Sequence, residues 1–301
     1  MGRLDGRVAV VTGGGRGVGA AIAKRLAAEG AAVVVNDLGV SLEGSGVDAG
    51  PAQDVVNDIV AAGGSAEANG ADVSDFGAVG DLIEQAVASY GRLDIVFNVA
   101  GIIRDRMLFN MAEHEWDAVI KVHMKGTFNT ARHAADYWSA HPGGPYRLIN
   151  ITSTAGLFGA PGMPNYSAAK MGIIGFTLSC ARTLSQFGVV SAGLMPRAAT
   201  RMTDSMPDDK ASAVGVAKSG AERAPENVAA AAVCLAGDDV AWANGRVFGA
   251  GGGRLTLYSN FQVQREIVGS SGLDPDGMSE RIPSAFRSVI EHRGFFDNLA
   301  S

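Results

Sequence analysis

Short β-branched runs alternate along this chain with longer segments whose apolar residues recur every three or four positions. This is the pattern of parallel strands joined by crossover helices, because a parallel pair cannot be closed by a tight turn. The runs are Val8 to Val11, Ala32 to Asn36, Ser65 to Ala68, Leu93 to Asn98, Arg147 to Ile151, Val189 to Leu194 and Arg246 to Phe248. Helical periodicity fills the intervals at Val18 to Glu29, Ala52 to Ala62, Phe76 to Tyr90, Glu113 to Ala140, Tyr166 to Phe187 and Glu226 to Ala236. Seven such strands suit one open sheet with helices on both faces. The 301-residue length would admit two domains, but no Pro-rich or charged linker divides the strands and no internal repeat is present. The expected fold class is therefore α/β, a doubly wound parallel seven-stranded sheet in a single domain over residues 1–253. Residues 254–301 are read as an extension that docks on the domain or on a partner subunit.

Composition narrows the functional classes. With 25 Lys+Arg against 31 Asp+Glu the net charge is −6, which argues against nucleic-acid binding. The two cysteines, Cys180 and Cys234, form no CxxC pair or disulfide framework, so a reducing compartment fits. The first apolar run comes too early and is too short for a signal peptide, and no stretch approaches 18 uninterrupted apolar residues. The expectation is a cytoplasmic protein without a membrane segment. Glycine is the outlier, and its clustering marks specific turns.

One cluster, Thr12-Gly13-Gly14-Gly15-Arg16-Gly17-Val18-Gly19-Ala20, connects the first strand to the first helix. Glycines there permit positive φ and close approach of the backbone to a pyrophosphate, while the helix N-terminus offers free N–H groups. Gly13, Arg16, Gly17, Val18 and Gly19 are thus candidate cofactor-binding residues in a Rossmann-type site, and GxGxxA is read at Gly15, Gly17 and Ala20. An acid at the end of the second strand should accept the adenosine ribose hydroxyls, and Asp37 stands there. The bland alternative is a tight strand-to-helix turn with Asp37 as an ordinary loop residue. A carboxylate at Asp37 repels a 2′-phosphate whereas Arg16 attracts one. Asp37 is expected to dominate, so the cofactor is read as NAD, with NADP second.

Downstream, Ser153 ends the fifth strand, and Tyr166 and Lys170 share a helix face at i and i+4. A free Tyr titrates at about 10, and lowering that by about three units needs about 4 kcal/mol, which a desolvated ammonium and an oxidised nicotinamide could jointly supply. Read alone, such a Tyr and Lys are an ordinary surface pair and such a Ser a cap. In context, the cradle, Asp37, Asn98-Val99-Ala100-Gly101, Ser153, Tyr166 and Lys170 stand in the order and spacing of the short-chain dehydrogenase/reductase family, which the chain resembles over roughly residues 5–253.

Within that family the chain is most similar to the (3R)-hydroxyacyl-CoA dehydrogenase type found in multifunctional enzyme type 2. The strings carrying this are Val33-Val34-Val35-Asn36-Asp37-Leu38-Gly39, Ala100-Gly101-Ile102-Ile103-Arg104-Asp105-Arg106, Val122-His123-Met124-Lys125-Gly126, Asn165-Tyr166-Ser167-Ala168-Ala169-Lys170 and Arg201-Met202-Thr203. The resemblance implies that Tyr166 is the general acid/base, that Ser153 positions the substrate oxygen, and that Lys170 binds the nicotinamide ribose and lowers the Tyr pKa. It also implies that Asp72 and Val73 flank the adenine, and that Asn98, Ala100, Gly101 and Thr203 support the cofactor. His123 stands where most members carry an Asn behind the Lys, and both a backbone-satisfied buried His and a proton relay fit it. Arg197 stands where Gly is usual and could reach the cofactor, an acyl phosphate or solvent. The other histidines show no metal-ligand spacing, so no metal is expected.

The implied reaction is hydride transfer between NAD and a secondary alcohol or ketone, with a (3R)-3-hydroxyacyl-CoA thioester as the leading substrate. A reductase of 3-oxoacyl, steroid or polyketide ketones is the alternative within the class, and a non-catalytic dinucleotide-binding scaffold the alternative outside it. The loops Gly39 to Gly50 and Thr200 to Ala224 are long enough to extend the cleft for such a substrate. A homodimer or homotetramer is expected by analogy.

Overall fold

A computed structural model describes residues 2–41, 44–46, 48–198, 224–267 and 281–287 of the chain. Its centre is one sheet of β1 (Val8–Thr12), β2 (Ala32–Asn36), β3 (Ser65–Asn69), β4 (Ile95–Asn98), β5 (Arg147–Ile151), β6 (Val190–Pro196), β7 (Val247–Gly251) and β8 (Arg254–Tyr258). The spatial order is β3-β2-β1-β4-β5-β6-β7-β8, and every neighbouring pair is parallel except β7 with β8. β1 pairs with β2 on one side and β4 on the other, so the strand order reverses beside β1 and opens a crevice at the carboxyl ends of the strands.

Among the described residues the expected seven strands become eight. Gly252 and Gly253, at φ 59° and 70°, fill the two-residue connection between the paired Gly251 and Arg254. Positive φ at both central positions is the requirement of a type I′ hairpin, so the chain reverses and Arg254–Tyr258 adds an antiparallel edge.

Helices cover both faces. α1 (Gly17–Ala28) and α2 (Gly50–Ala61) bury Ile22, Leu26, Val55 and Ile59 on one side, with Val33 and Val35 of β2 turned toward them. The intervening Val34 faces the opposite layer, where α3 (Phe76–Tyr90) buries Leu82 and Ile83. This strand-period alternation feeds two separate cores. α3 starts where Asp75 accepts the Ala78 N–H at 3.0 Å and stops at Gly91, whose φ of 78° suits glycine at a helix end.

The expected helix from Glu113 to Ala140 is one helical run with a defect. α4 (Glu113–Ile120) passes through a π-helical turn at Lys121–Lys125 into α5 (Gly126–Ala140). A short α6 (Thr154–Phe158) precedes α7 (Pro164–Thr183), and α8 (Glu226–Ala236) returns to pack on α1. Among the described residues no helix is long and apolar enough to cross a membrane.

Candidate active site

The glycine cluster forms a cradle at the end of β1. Gly13 and Gly17 have φ of 63° and 53°, values that L side chains rarely adopt. A Cβ on Gly13 would stand 2.7 Å from the Ala100 Cα, and one on Gly19 would stand 2.0 Å from the Gly13 carbonyl oxygen. The turn therefore has room for backbone alone. Arg16 is the extended N-cap residue of α1 and no side chain among the described residues caps that helix, while Val18 and Gly19 are buried in its first turn. A backbone surface of this shape, ending in helical N–H groups, fits the pyrophosphate of a dinucleotide.

Asp37 lies beside this turn. Its carboxylate accepts the Gly15 N–H at 2.9 Å and the Gly39 N–H at 2.7 Å, which fixes its orientation at the end of β2. Arg16 is partly buried. Its guanidinium donates to the Val40 carbonyl at 3.2 Å, tying it to the loop after β2. Asp72 closes the turn after β3 by accepting the Ser74 N–H at 2.8 Å, and the adjacent Val73 is buried with its carbonyl held by Asn129.

At the end of β4 the Thr12 hydroxyl accepts the Val99 and Ala100 N–H groups at 3.1 and 3.3 Å, which presses that segment against the cradle. Asn98 is structural as well as local to the site. It accepts from Thr130 and donates to Asn150 at 2.9 Å, and Asn150 donates to Thr177 at 2.9 Å, joining α5, β4, β5 and α7 through buried polar groups. Gly101 has no space for a side chain, since a Cβ would stand 2.2 Å from the His123 Cε1.

β5 and α7 supply the remaining groups. Ser153 caps α6, its Oγ accepting the Ala155 N–H at 3.2 Å, and its hydroxyl faces that of Tyr166 closely enough to favour the phenolate. Lys170 is buried, donates from Nζ to the Ile151 carbonyl at 2.8 Å, and lies 5.5 Å from the centroid of the Tyr166 ring. The His123 ring meets that of Tyr166 edge-on at 5.2 Å. The sequence-identified groups Ser153, Tyr166, Lys170 and His123 therefore converge at the carboxyl end of β5, with Asn98, Ala100 and Gly101 behind them.

The electrostatics differ from the sequence expectation. Burial pushes Tyr166 up to about 12; the nearby Ser153 hydroxyl opposes this and the negative charge of Asp105 adds to it. Burial brings Lys170 down to about 7, so near neutrality it is only partly charged and cannot hold a phenolate alone. Burial also carries His123 down to about 3, helped by repulsion from Lys170 and opposed by its bond to Ile102. The imidazole is therefore neutral at physiological pH. Its Nε2 lies 2.9 Å from the Ile102 carbonyl and 3.2 Å from the Ile102 N, while Nδ1 is buried with no hydrogen-bond partner among the described residues. Donation from Nε2 to the closer carbonyl leaves Nδ1 as a buried acceptor.

Arg197 continues the sheet, its N–H donating to the Ala250 carbonyl at 2.7 Å. Thr203, with Arg201, Met202 and nearly all of the Thr200 to Ala224 loop, lies outside the described residues. Sequence reading overlooked Thr12, Asp105 and Asn165. Asn165 adjoins Tyr166, but its Nδ2 donates to Arg104 and Glu115, which are distant in sequence.

Comparison with known proteins agrees with this geometry. A family model described as short chain dehydrogenase matches residues 7–211. Hydroxyacyl-CoA dehydrogenase ChsB1 of Mycobacterium tuberculosis is 41% identical over 307 residues, covering 97% of this chain and 92% of the relative. Peroxisomal hydratase-dehydrogenase-epimerase of Neurospora crassa is 47% identical over 209 residues, 69% of this chain but only 23% of that much longer protein. A short chain dehydrogenase from Burkholderia cenocepacia J2315, solved in complex with NADP, superposes with a TM-score of 0.73 at 31% identity, covering 83% of this chain and 98% of that one. Strand order, cradle and the Ser153, Tyr166 and Lys170 cluster coincide with a family match over more than half the chain, and the protein belongs to the short-chain dehydrogenase/reductase family of oxidoreductases.

Proposed function

We propose that this enzyme oxidises a (3R)-3-hydroxyacyl-CoA to the 3-oxoacyl-CoA with NAD as the preferred cofactor. The observation that carries the reading is the convergence of Ser153, Tyr166 and Lys170 at the carboxyl end of the strand next to β4, with the buried Lys170 Nζ held on the Ile151 carbonyl 5.5 Å from the Tyr166 ring centroid. When bound, the dinucleotide supplies the hydride acceptor and the positive charge of its oxidised ring. Ser153 hydrogen-bonds the substrate oxygen and Tyr166 takes its proton. The carbinol C–H bond breaks with its electron pair leaving as hydride, and the carbon–oxygen bond becomes a carbonyl. Bringing Tyr166 from about 12 to neutrality requires about five units, or about 7 kcal/mol of phenolate stabilisation, so protonated Lys170 must act together with the cofactor charge.

The NAD preference rests on Asp37, held by two backbone donors where the adenosine ribose would lie, while Arg16 is occupied by the Val40 carbonyl. The structural relative solved with NADP makes the opposite preference the outcome to test against. The acyl-CoA substrate is supported by the name and near-complete coverage of the hydroxyacyl-CoA dehydrogenase relative. His123 is read as a neutral acceptor beside Lys170 that tunes proton transfer and does not perform it.

The test of the chemistry is Tyr166→Phe, with turnover and dinucleotide fluorescence titration measured on the same preparation. Turnover is expected to fall by about 10²- to 10⁴-fold while dinucleotide affinity stays within a few-fold. Near-normal turnover would overturn the assignment.

A further inference from the structure

Asn165 is the second residue of α7 and is fully buried, although the chemistry above gives it no task. Its amide reaches in three directions. Nδ2 donates to the Arg104 carbonyl at 3.0 Å and to the Glu115 carbonyl at 3.1 Å, while Oδ1 accepts the Tyr166 N–H at 2.7 Å. That N–H lies in the first helical turn, where no intrahelical acceptor is available. One side chain thus joins the segment after β4, the first turn of α4 and the backbone of the proton-transferring residue.

Other bonds close the same unit. The Arg106 N–H donates to the Gly162 carbonyl at 2.8 Å, the Arg106 Nε lies 3.2 Å from the Glu115 Oε1, and the Glu115 Oε2 accepts the Ala112 N–H at 3.0 Å. Residues 104–106 are therefore zipped to the turn preceding Tyr166, with Asn165 at the centre. Removing its amide would leave the Arg104 carbonyl and the Tyr166 N–H in a largely buried site without these partners.

We propose that Asn165 is a positioning residue that sets the angle at which Tyr166 leaves α7, and hence the place of its hydroxyl between Ser153 and Lys170. This rests on the reading of Tyr166 as the proton-transferring group. A backbone tilt of about 10° would carry a hydroxyl about 6 Å from its Cα through about 1 Å, a misplacement that can cost about 10²-fold in rate. Asn165 touches neither substrate nor cofactor in this role, so it should govern kcat and leave cofactor binding alone.

The experiment compares Asn165→Ala, Asn165→Ser and Tyr166→Phe by kcat, KM, dinucleotide titration and the pH profile of alcohol oxidation. In Asn165→Ala, kcat is expected to fall by about 10- to 100-fold, with KM and dinucleotide affinity within about threefold. The ascending limb of kcat/KM against pH should also move, because Tyr166 loses its geometry to Ser153 and Lys170. Asn165→Ser restores an acceptor near the Tyr166 N–H and should recover part of kcat; it decides the matter alone if Asn165→Ala does not fold. The proposal is overturned by a folded Asn165→Ala with near-wild-type kcat and an unmoved pH profile. It is equally overturned if kcat and dinucleotide affinity fall in parallel and serine restores neither, which is general structural damage. If Tyr166→Phe is inactive while Asn165→Ala is normal, only this inference fails; if Tyr166→Phe turns over normally, the dehydrogenase reading fails with it.

Discussion

Replacing Lys170 with Met should make the cofactor-free protein less sensitive to pH while abolishing activity. Lys170 is 3% exposed, and burial lowers its pKa from 10.5 to about 7. Between those values the unfolded chain binds more protons than the folded one, so stability rises with pH across this window. The sign follows from a depressed folded-state pKa in a cationic group. The penalty is absent above about pH 10.5, grows as pH falls, and levels off below about pH 7. Linkage with these two pKa values gives a cost of about 4 kcal/mol at pH 7 and about 2 kcal/mol at pH 9. Met has similar length and no charge, and its substitution also loses the 2.8 Å bond to the Ile151 carbonyl, an offset of about 1 kcal/mol that does not vary with pH. Urea denaturation of both proteins at pH 7, 8 and 9 should therefore show the stability difference, Lys170→Met minus wild type, shrinking by about 2 kcal/mol over the range. A difference that is flat in pH, or that grows toward pH 9, would refute the reasoning, because burial would then not be lowering the Lys170 pKa in the folded protein.

His123→Asn should retain substantial activity with an altered pH profile, and should reduce the acid sensitivity of folding. A neutral buried imidazole destabilises the folded state progressively as pH falls from 6.5 toward about 3, so the stability difference from wild type should move in favour of the variant on acidification. Asp37→Ala should narrow the preference for NAD over NADP by at least about tenfold, or about 1.4 kcal/mol, in steady-state kinetics with both cofactors; a wild-type preference for NADP would mean that Arg16 prevails. Gly19→Ala places a Cβ 2.0 Å from the Gly13 oxygen, with only backbone available to move, and should weaken dinucleotide affinity by at least about tenfold in fluorescence titration.

Much of the scaffold was legible because each local signal agreed with the fold. The runs at Ala32 to Asn36 and Arg147 to Ile151 coincide with β2 and β5, and the glycine cluster could serve few purposes between a buried strand and a helix. The eighth strand was carried by Gly252-Gly253 before the alternating Arg254-Leu255-Thr256-Leu257-Tyr258, a hairpin signal lost inside a glycine-rich terminus. The π-turn at Lys121–Lys125 left no mark, since one extra residue per turn scarcely changes apolar periodicity over a long helix. For the site, the Tyr166 and Lys170 spacing placed both groups on one helix face, but their titration depends on how deeply that face is buried. Burial acts against the charged form of each, so the protein alone raises the Tyr166 pKa where the pair was expected to lower it. Asn165 and Arg16 show the same limit, since Arg104, Glu115 and Val40 become their partners only once the loops have folded.

The central claim is tested most directly by the stereochemistry of turnover. Initial rates of NAD reduction, followed by absorbance, should be measured with a (3R)-3-hydroxyacyl-CoA, its (3S) isomer and the corresponding CoA-free alcohol. The pantetheine and phosphates supply remote binding energy that the CoA-free alcohol lacks, and the (3S) isomer, held by the same oxygen and the same two arms, turns its C–H to the opposite side, so kcat/KM for the (3R) thioester should exceed both others by at least about 10²-fold. Equal efficiency for a simple alcohol or free steroid would contradict the acyl-CoA assignment, and preference for the (3S) thioester would contradict the proposed (3R) substrate.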